Sequence, residues 1–386
     1  MPSRAQIRVA FPLLLLAIAG IGLLLAFAYL GTGRAPNSGT NGSVTIGVVL
    51  PLTGSAATYG NNALRGVQLA VKQRPSLKDG RNVALAIQDS KSDTAQAVGA
   101  LQALLAGHAL SVVIGDTSSS SVLAMAPVAQ SAKVVLISPC ASAADISKAG
   151  SFIFRTWQSD ALEGEVDAQY ARDELKWKKV VALYINNAYG QGLLAAFKTD
   201  FVGDGRSVVG IPFPEGATDL RSQITQLKGG DFDGIYLLGF PNELVLALRQ
   251  LREQQVTFPI LATQAIDDPA IYNRAGEAAN GVLFSTTAPP DPAAPQVRSF
   301  NDAYNKEFRM APGLCSDSAY DAANLVLNGF NEGHMTSEAL RQYLHTVRNY
   351  PGASGTITFT ASGDVKKPIQ VERITDGHAV VIWKQG

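Results

Sequence analysis

SVVIGDTSSSSVLAMAPVAQ, residues 111–130, runs from a short apolar strand into an apolar helix through four consecutive serines. One serine is enough to cap a helix. A solvated turn would use the others. So would an anion site, because free N–H groups at a helix start carry partial positive charge and serine hydroxyls beside them add donors. The segment reads as one βα unit, and the rest of the chain repeats it.

Before it come VTIGVVLPL (44–52), a strand, and NNALRGVQLAVKQ (61–73), a helix with Leu64, Val67, Ala70 and Val71 on one face. NVALAIQDS then reads as a strand and TAQAVGALQALLAG as a helix ending at Gly107. VVLISP (134–139) closes this first series. A second series follows Trp157: KVVALYI, GQGLLAAFKTDF, SVVGIPF, DLRSQITQLKGG, GIYLLGF, NELVLALRQLREQ and FPILAT alternate strand with helix. Such alternation predicts right-handed βαβ units around parallel sheets, here an α/β chain of two doubly wound lobes. Helices over 295–350 and the hairpin-like tail GTITFTASGDVKKPIQVERI add to one lobe or the other. Ligands of open α/β sheets lie beyond the carboxyl ends of the strands. That rule selects the loops TGSAATYG, GDTSSSS, SPCASAA, NNAYGQG, GFPNE and TQAIDD, whose hydroxyl, amide and aromatic groups suit a small polar ligand.

The 386 residues suit two lobes, and 46% hydrophobic with 17% charged residues is globular composition. Lysine plus arginine equals aspartate plus glutamate at 32 each, so no basic surplus points to nucleic acid. Arg4 and Arg8 precede an uncharged apolar run over residues 9–30 with Ala26 and Ala28 in an A-x-A arrangement. This describes a secretory signal over 1–28, and the run is also long enough to remain as a membrane anchor. Either form leaves the remainder outside the cytoplasm. No cysteine follows the run, and residues 29–43 form a Gly/Ser/Asn tether. Cys140 stands in a candidate site loop and Cys315 far along the chain, so the two are expected to stay unpaired.

His108, His334, His345 and His378 show no metal spacing, and neither a nucleophile elbow nor a phosphate-binding P-loop occurs. No cofactor or metal is expected. GQGLLA (190–195) matches a dinucleotide fingerprint, but NNAY intervenes after the strand and no acid ends the next one. The glycines read instead as room for a helix to start near a ligand.

The ordered series VVLPLTGSAATYGNNALRGVQLAV, VVIGDTSSSS, VVLISPCAS, FIFRTWQSD, NNAYGQG, GFPNE, AGEAANGVLFS and GASGTITFTASGD resembles the leucine–isoleucine–valine-binding protein family. Members are extracytoplasmic receptors of ABC importers with a type I periplasmic-binding-protein fold. The resemblance spans about residues 44–383. It implies two lobes joined by three crossovers near Thr156, Val282 and Ser354, with lobe 1 over 44–156 plus 282–354 and lobe 2 over 157–281 plus 355–386. The ligand is enclosed as the lobes close.

Carried onto this chain, the family's carboxylate site falls on Ser119 and Ser142, with Ser118 reading equally as a cap. The backbone carbonyl of Cys140 matches an ammonium acceptor. Tyr59 and Tyr189 match the aromatic walls, Phe240 a position often tyrosine, and Trp157 stands beside the first crossover. Gln264 departs from the family's amino-acid binders, which usually place glutamate there. A buried ammonium without a carboxylate costs several kcal/mol. The substitution therefore points to a ligand with a carboxylate or carbonyl but no free α-ammonium: an amide, a urea-like compound or a simple acid. Asp267 or Asp268 could restore the charge, or cap the helix that follows.

The expected function is a receptor delivering a small molecule to an ABC permease, a task for which a monomer suffices. A membrane-anchored sensor with the same fold, touching the membrane through its uncleaved N-terminus, is the alternative. An enzyme would need a base near the cleft, and no histidine stands in the six loops. N-terminal sequencing of the exported protein is expected to begin at Tyr29; a start at the initiator would mark the anchored form.

Overall fold

The computed structural model describes residues 42–385, so the signal or anchor and most of the tether lie outside the described residues. Among the described residues no helix is long and apolar enough to cross a membrane.

The first lobe follows the βα pattern. β1 (Ser43–Leu50), α1 (Ala57–Gln73), β2 (Asn82–Asp89), α2 (Thr94–Gly107), β3 (Val112–Gly115), α3 (Ser119–Ala132), β4 (Val135–Ser138) and β5 (Ile153–Arg155) succeed one another. Their strands form one sheet in the order β2-β1-β3-β4-β5, every pair parallel. Strands β3 and β4 are buried at every residue. That is why they read as unbroken apolar runs: helices cover both faces of a parallel sheet.

The second lobe opens with α4 (Asp160–Asp173), β6 (Lys179–Ile185), α5 (Ala188–Phe201), β7 (Ser207–Phe213), α6 (Arg221–Leu227), β8 (Gly234–Leu238), α7 (Pro241–Glu253), β9 (Ile260–Ala262), α8 (Pro269–Ala275) and β10 (Leu283–Thr287). The chain then returns to the first lobe for α9 (Pro295–Phe308), α10 (Ser316–Asn331), α11 (Ser337–Thr346) and the small hairpin of β11 (Tyr350–Gly352) with β12 (Gly355–Ile357). Helix α10 packs on α1 and against β3 and β4. Last come β13 (Ile369–Thr375) and β14 (His378–Lys384), antiparallel at the edge of a seven-stranded sheet ordered β14-β13-β10-β9-β8-β6-β7. The fold is thus two α/β lobes with three crossovers.

Four expectations need correction. Strand β10 pairs with β9 and β13, so the second crossover follows Thr287 rather than Val282, and residues 283–287 belong to the second sheet. The third crossover likewise comes after Ser354, between β12 and β13, and the tail makes two hairpins instead of one. Helix α1 begins at Ala57, four residues before its apolar periodicity becomes readable, and so carries Tyr59. Gly190 packs against its own strand: a Cβ there would collide with the Ile185 carbonyl. Its small size lets α5 start hard on the end of β6.

The cysteines are also paired. Cys140 and Cys315 form a disulfide with their Cα atoms 5.6 Å apart, 175 residues apart in sequence. The separation misleads because the first lobe is discontinuous: α10 returns to lie on β4, and Ser318 Oγ donates to the Pro139 carbonyl at 2.7 Å beside the bridge. Closing so long a loop removes unfolded-state entropy, so Cys140→Ser with Cys315→Ser is expected to cost about 2–4 kcal/mol. Thermal melts with and without reductant check this: wild type should drop toward the double variant, and the variant should not respond.

Candidate functional site

The serine run is organised from behind by Asp116. Its buried carboxylate accepts the Ser118 N–H at 2.8 Å and the Ser90 hydroxyl. Burial pushes its pKa up to about 6, against the pull of those donors. Ser118 is the N-cap of α3, without a side-chain cap bond. The Ser119 Oγ accepts the N–H groups of Ser142 at 3.2 Å and Ala143 at 3.1 Å, tying the loop after β4 to the start of α3. With both lone pairs engaged, its O–H is left to donate. The Ser120 Oγ accepts the Ala188 N–H from the second lobe at 3.1 Å.

These elements enclose a small cavity lined by Tyr59, Thr117, Ser119, Cys140, Ser142, Trp157, Tyr189, Phe240, Gln264, Ala265 and Leu314. Eight of the nine sequence-selected residues meet there; Ser118 does not, and its backbone N–H goes to Asp116. The cavity volume is about 30 Å³, room for about two waters at about 10–15 Å³ each. Both lobes contribute walls. Tyr59, from α1, donates across the cleft to the Ala265 carbonyl at 2.6 Å. Tyr189 stacks on Phe240 at 5.7 Å, and the Tyr59 ring meets Phe240 edge-on at 6.3 Å. The Tyr189 hydroxyl shares a 2.7 Å bond with Thr263. At the rim, Ser55 donates to Glu215 and Asn242 to the Ser55 carbonyl, each at 3.4 Å.

Thr117 was missed, although it lies inside the quoted stretch; its buried Oγ1 has no partner among the described residues. Leu314 was missed too, and only its place before Cys315 could have flagged it. Asp268 caps α8 through the Ala270 N–H. Asp267 accepts from Thr286 at 2.5 Å and lines a neighbouring groove of about 510 Å³. Neither lines the cavity beside Gln264.

The acid sits elsewhere. Gln264 donates its backbone N–H to Glu163 Oε1 at 3.0 Å and its Nε2 to Glu163 Oε2 at 2.8 Å; Ser285 Oγ adds a third bond at 2.8 Å. Asp160, Glu163 and Asp167 lie on one face of α4, all buried. The pattern DALEGEVD carries that spacing, but acids in a first helical turn normally face solvent. Asp160 has no hydrogen-bond partner on either oxygen among the described residues. Burial and then the Glu163 charge push its pKa up to about 8, with Ser142 and Arg155 opposing. Burial takes Glu163 to about 7 against its hydrogen bonds.

Folded-state pKa values above the unfolded ones mean that the native protein holds protons the unfolded chain has released. Stability is then greatest below about pH 4 and is lost as pH rises through about 6 to 8 for these groups. The melting temperature is expected to fall between pH 5 and pH 8.5, and Asp160→Asn to flatten that slope; an unchanged slope in the variant would remove Asp160 from the account.

A family profile described as periplasmic binding protein matches residues 43–378. Leu/Ile/Val-binding protein homolog 3 of Brucella melitensis is 28% identical over 336 residues, 84% of this chain and 89% of its own. A leucine-binding protein of Thermotoga maritima superposes with a TM-score of 0.83 at 28% identity, covering 88% of this chain and 98% of that one. A branched-chain amino acid transporter substrate-binding protein of Streptococcus pneumoniae, solved with isoleucine, gives 0.80 at 26% identity over 89% and 100%.

Proposed function

The chain belongs to the periplasmic binding protein family, and we propose that it captures a compact carboxylate- or carbonyl-bearing solute between its lobes and delivers it to an ABC permease. The observation that carries this reading is a single cavity walled from both lobes, with donors on one side and aromatic rings on the other. At the donor side, the Ser119 and Thr117 hydroxyls and the first N–H groups of α3, which have no intrahelical partner, suit an anionic oxygen. Tyr59, Tyr189, Phe240 and Trp157 suit an apolar or aromatic body. Cross-cleft bonds from Tyr59, Ser120 and Ser55 add to the ligand's own contacts when the lobes meet. The receptor works outside the cytoplasm as a monomer, released by cleavage after Ala28. With the N-terminal run retained, the same capture would serve an anchored sensor.

A thermal-melt screen of the purified protein tests this. The panel holds branched-chain amino acids, their amides, urea-like compounds and aliphatic or aromatic acids. A ligand at 100 times its Kd stabilises by about 2.7 kcal/mol. Ser119→Ala should weaken the binder found by about tenfold or more, since it removes a donor to charge and frees two loop N–H groups. No shift from any member, or turnover of a bound one, would overturn the reading.

A further inference from the structure

Glu163 lies outside the cavity wall yet grips the wall residue Gln264 twice, through its backbone N–H and its Nε2. Above about pH 7, where Glu163 is ionised, its carboxylate only accepts hydrogen bonds. It therefore draws the nitrogen end of the amide and leaves the oxygen end on the other side, where Thr287 Oγ1 donates to Oε1 at 3.2 Å. That oxygen keeps a second lone pair. A glutamine without such a partner could turn its amide either way. Here the acid behind it settles the direction.

The surroundings reinforce the polarity. Asp160, one turn earlier on α4, is fully buried with both oxygens unpartnered among the described residues. Arg155, the guanidinium beside it, gives its hydrogens to Asp364, Ser147 and the carbonyls of Ser142 and Ala143. Two buried carboxyl groups thus stand behind this flank of the site, where the serine run offers hydroxyl and N–H donors.

We propose that Glu163 is a specificity-determining positioning residue: by fixing the Gln264 amide it makes this wall an acceptor and selects ligands that present an N–H donor to it. The inference rests on the receptor reading above and narrows it. Ammonium, amide and urea-type nitrogens fit, whereas acids without nitrogen leave the acceptors unmet.

The test uses two matched pairs on the full protein by calorimetry: leucine against 4-methylpentanoate, and benzamide against benzoate. Wild type should prefer the nitrogen-bearing member of at least one pair by about tenfold or more, because leaving a buried acceptor unpaired is costly. Glu163→Gln, nearly isosteric, lets the Gln264 amide turn and should compress that ratio to about threefold or less, with a melting temperature no lower than wild type. Glu163→Gln with Gln264→Glu puts the acceptor in the wall itself and should restore the preference. A purely structural role for Glu163 would lower all affinities together and leave the ratio alone. An unchanged ratio in Glu163→Gln, or a wild-type preference for the nitrogen-free members, overturns this inference while the receptor reading stands. Failure of both pairs and of the wider panel overturns the two together.

Discussion

Arg155 ends β5 with its guanidinium fully buried, and the geometry of the cleft depends on how its donors are met. Nε pairs with Asp364 at 2.6 Å, Nη1 reaches the carbonyls of Ser142 and Ala143, and Nη2 takes Ser147 Oγ. The Arg155 N–H also donates to the Gly363 carbonyl. One side chain thus joins the loop after β4 to the first and third crossovers. Burying a charge is costly unless every donor is paired, so the segments are held in one arrangement. A planar fork of donors does this where a lysine's single ammonium could not. The Asp160 N–H bond to the Ser142 carbonyl, 2.8 Å, shares the same acceptor. The loop after β4, which lines the cavity through Cys140 and Ser142, is therefore fixed where the chain passes between the lobes.

From that anchor the four serines acquire separate tasks. Ser118 gives its N–H to Asp116 and starts the helix. Ser119 binds the neighbouring loop and keeps its hydrogen for the cavity. Ser120 receives the second lobe, and Ser121 is buried beneath. Hydroxyl groups are suited to this because each both donates and accepts. A larger or purely donating side chain would satisfy one of these demands and obstruct the next.

Much of this was legible in the sequence where local chemistry decides it. The buried strands β3 and β4 were readable from unbroken apolar runs, the bounds of β6 and β7 to the residue, and the wall residues from their loops and the family resemblance. What escaped depends on long-range contacts. Strand β5 has three residues, too few for a period. The Cys140–Cys315 pair and the place of β10 follow from where a discontinuous lobe closes on itself, which spacing along the chain does not encode. Glu163 escaped for a subtler reason. Read alone, it is a first-turn acid near the positive end of a helix dipole, and nothing local says that α4 buries that face.

The neutral Gln264 then has a different meaning from the one its chemistry suggests in isolation. Removing a carboxylate from a wall ordinarily removes the reason to bind a nitrogen there. In this fold the carboxylate of Glu163 stands behind the wall residue, held by three donors. Its effect reaches the cavity as orientation rather than as direct contact. An amide so held is a weaker acceptor than an acid but spares the wall a desolvated charge of its own. The neighbouring Asp160 carboxyl is buried, and a second acid in the wall would add to the like-charge repulsion that, after burial, raises the Asp160 pKa. A site with acids packed behind it therefore gains from a neutral intermediary, and discrimination between ligands passes from the strength of one ion pair to the direction of one amide.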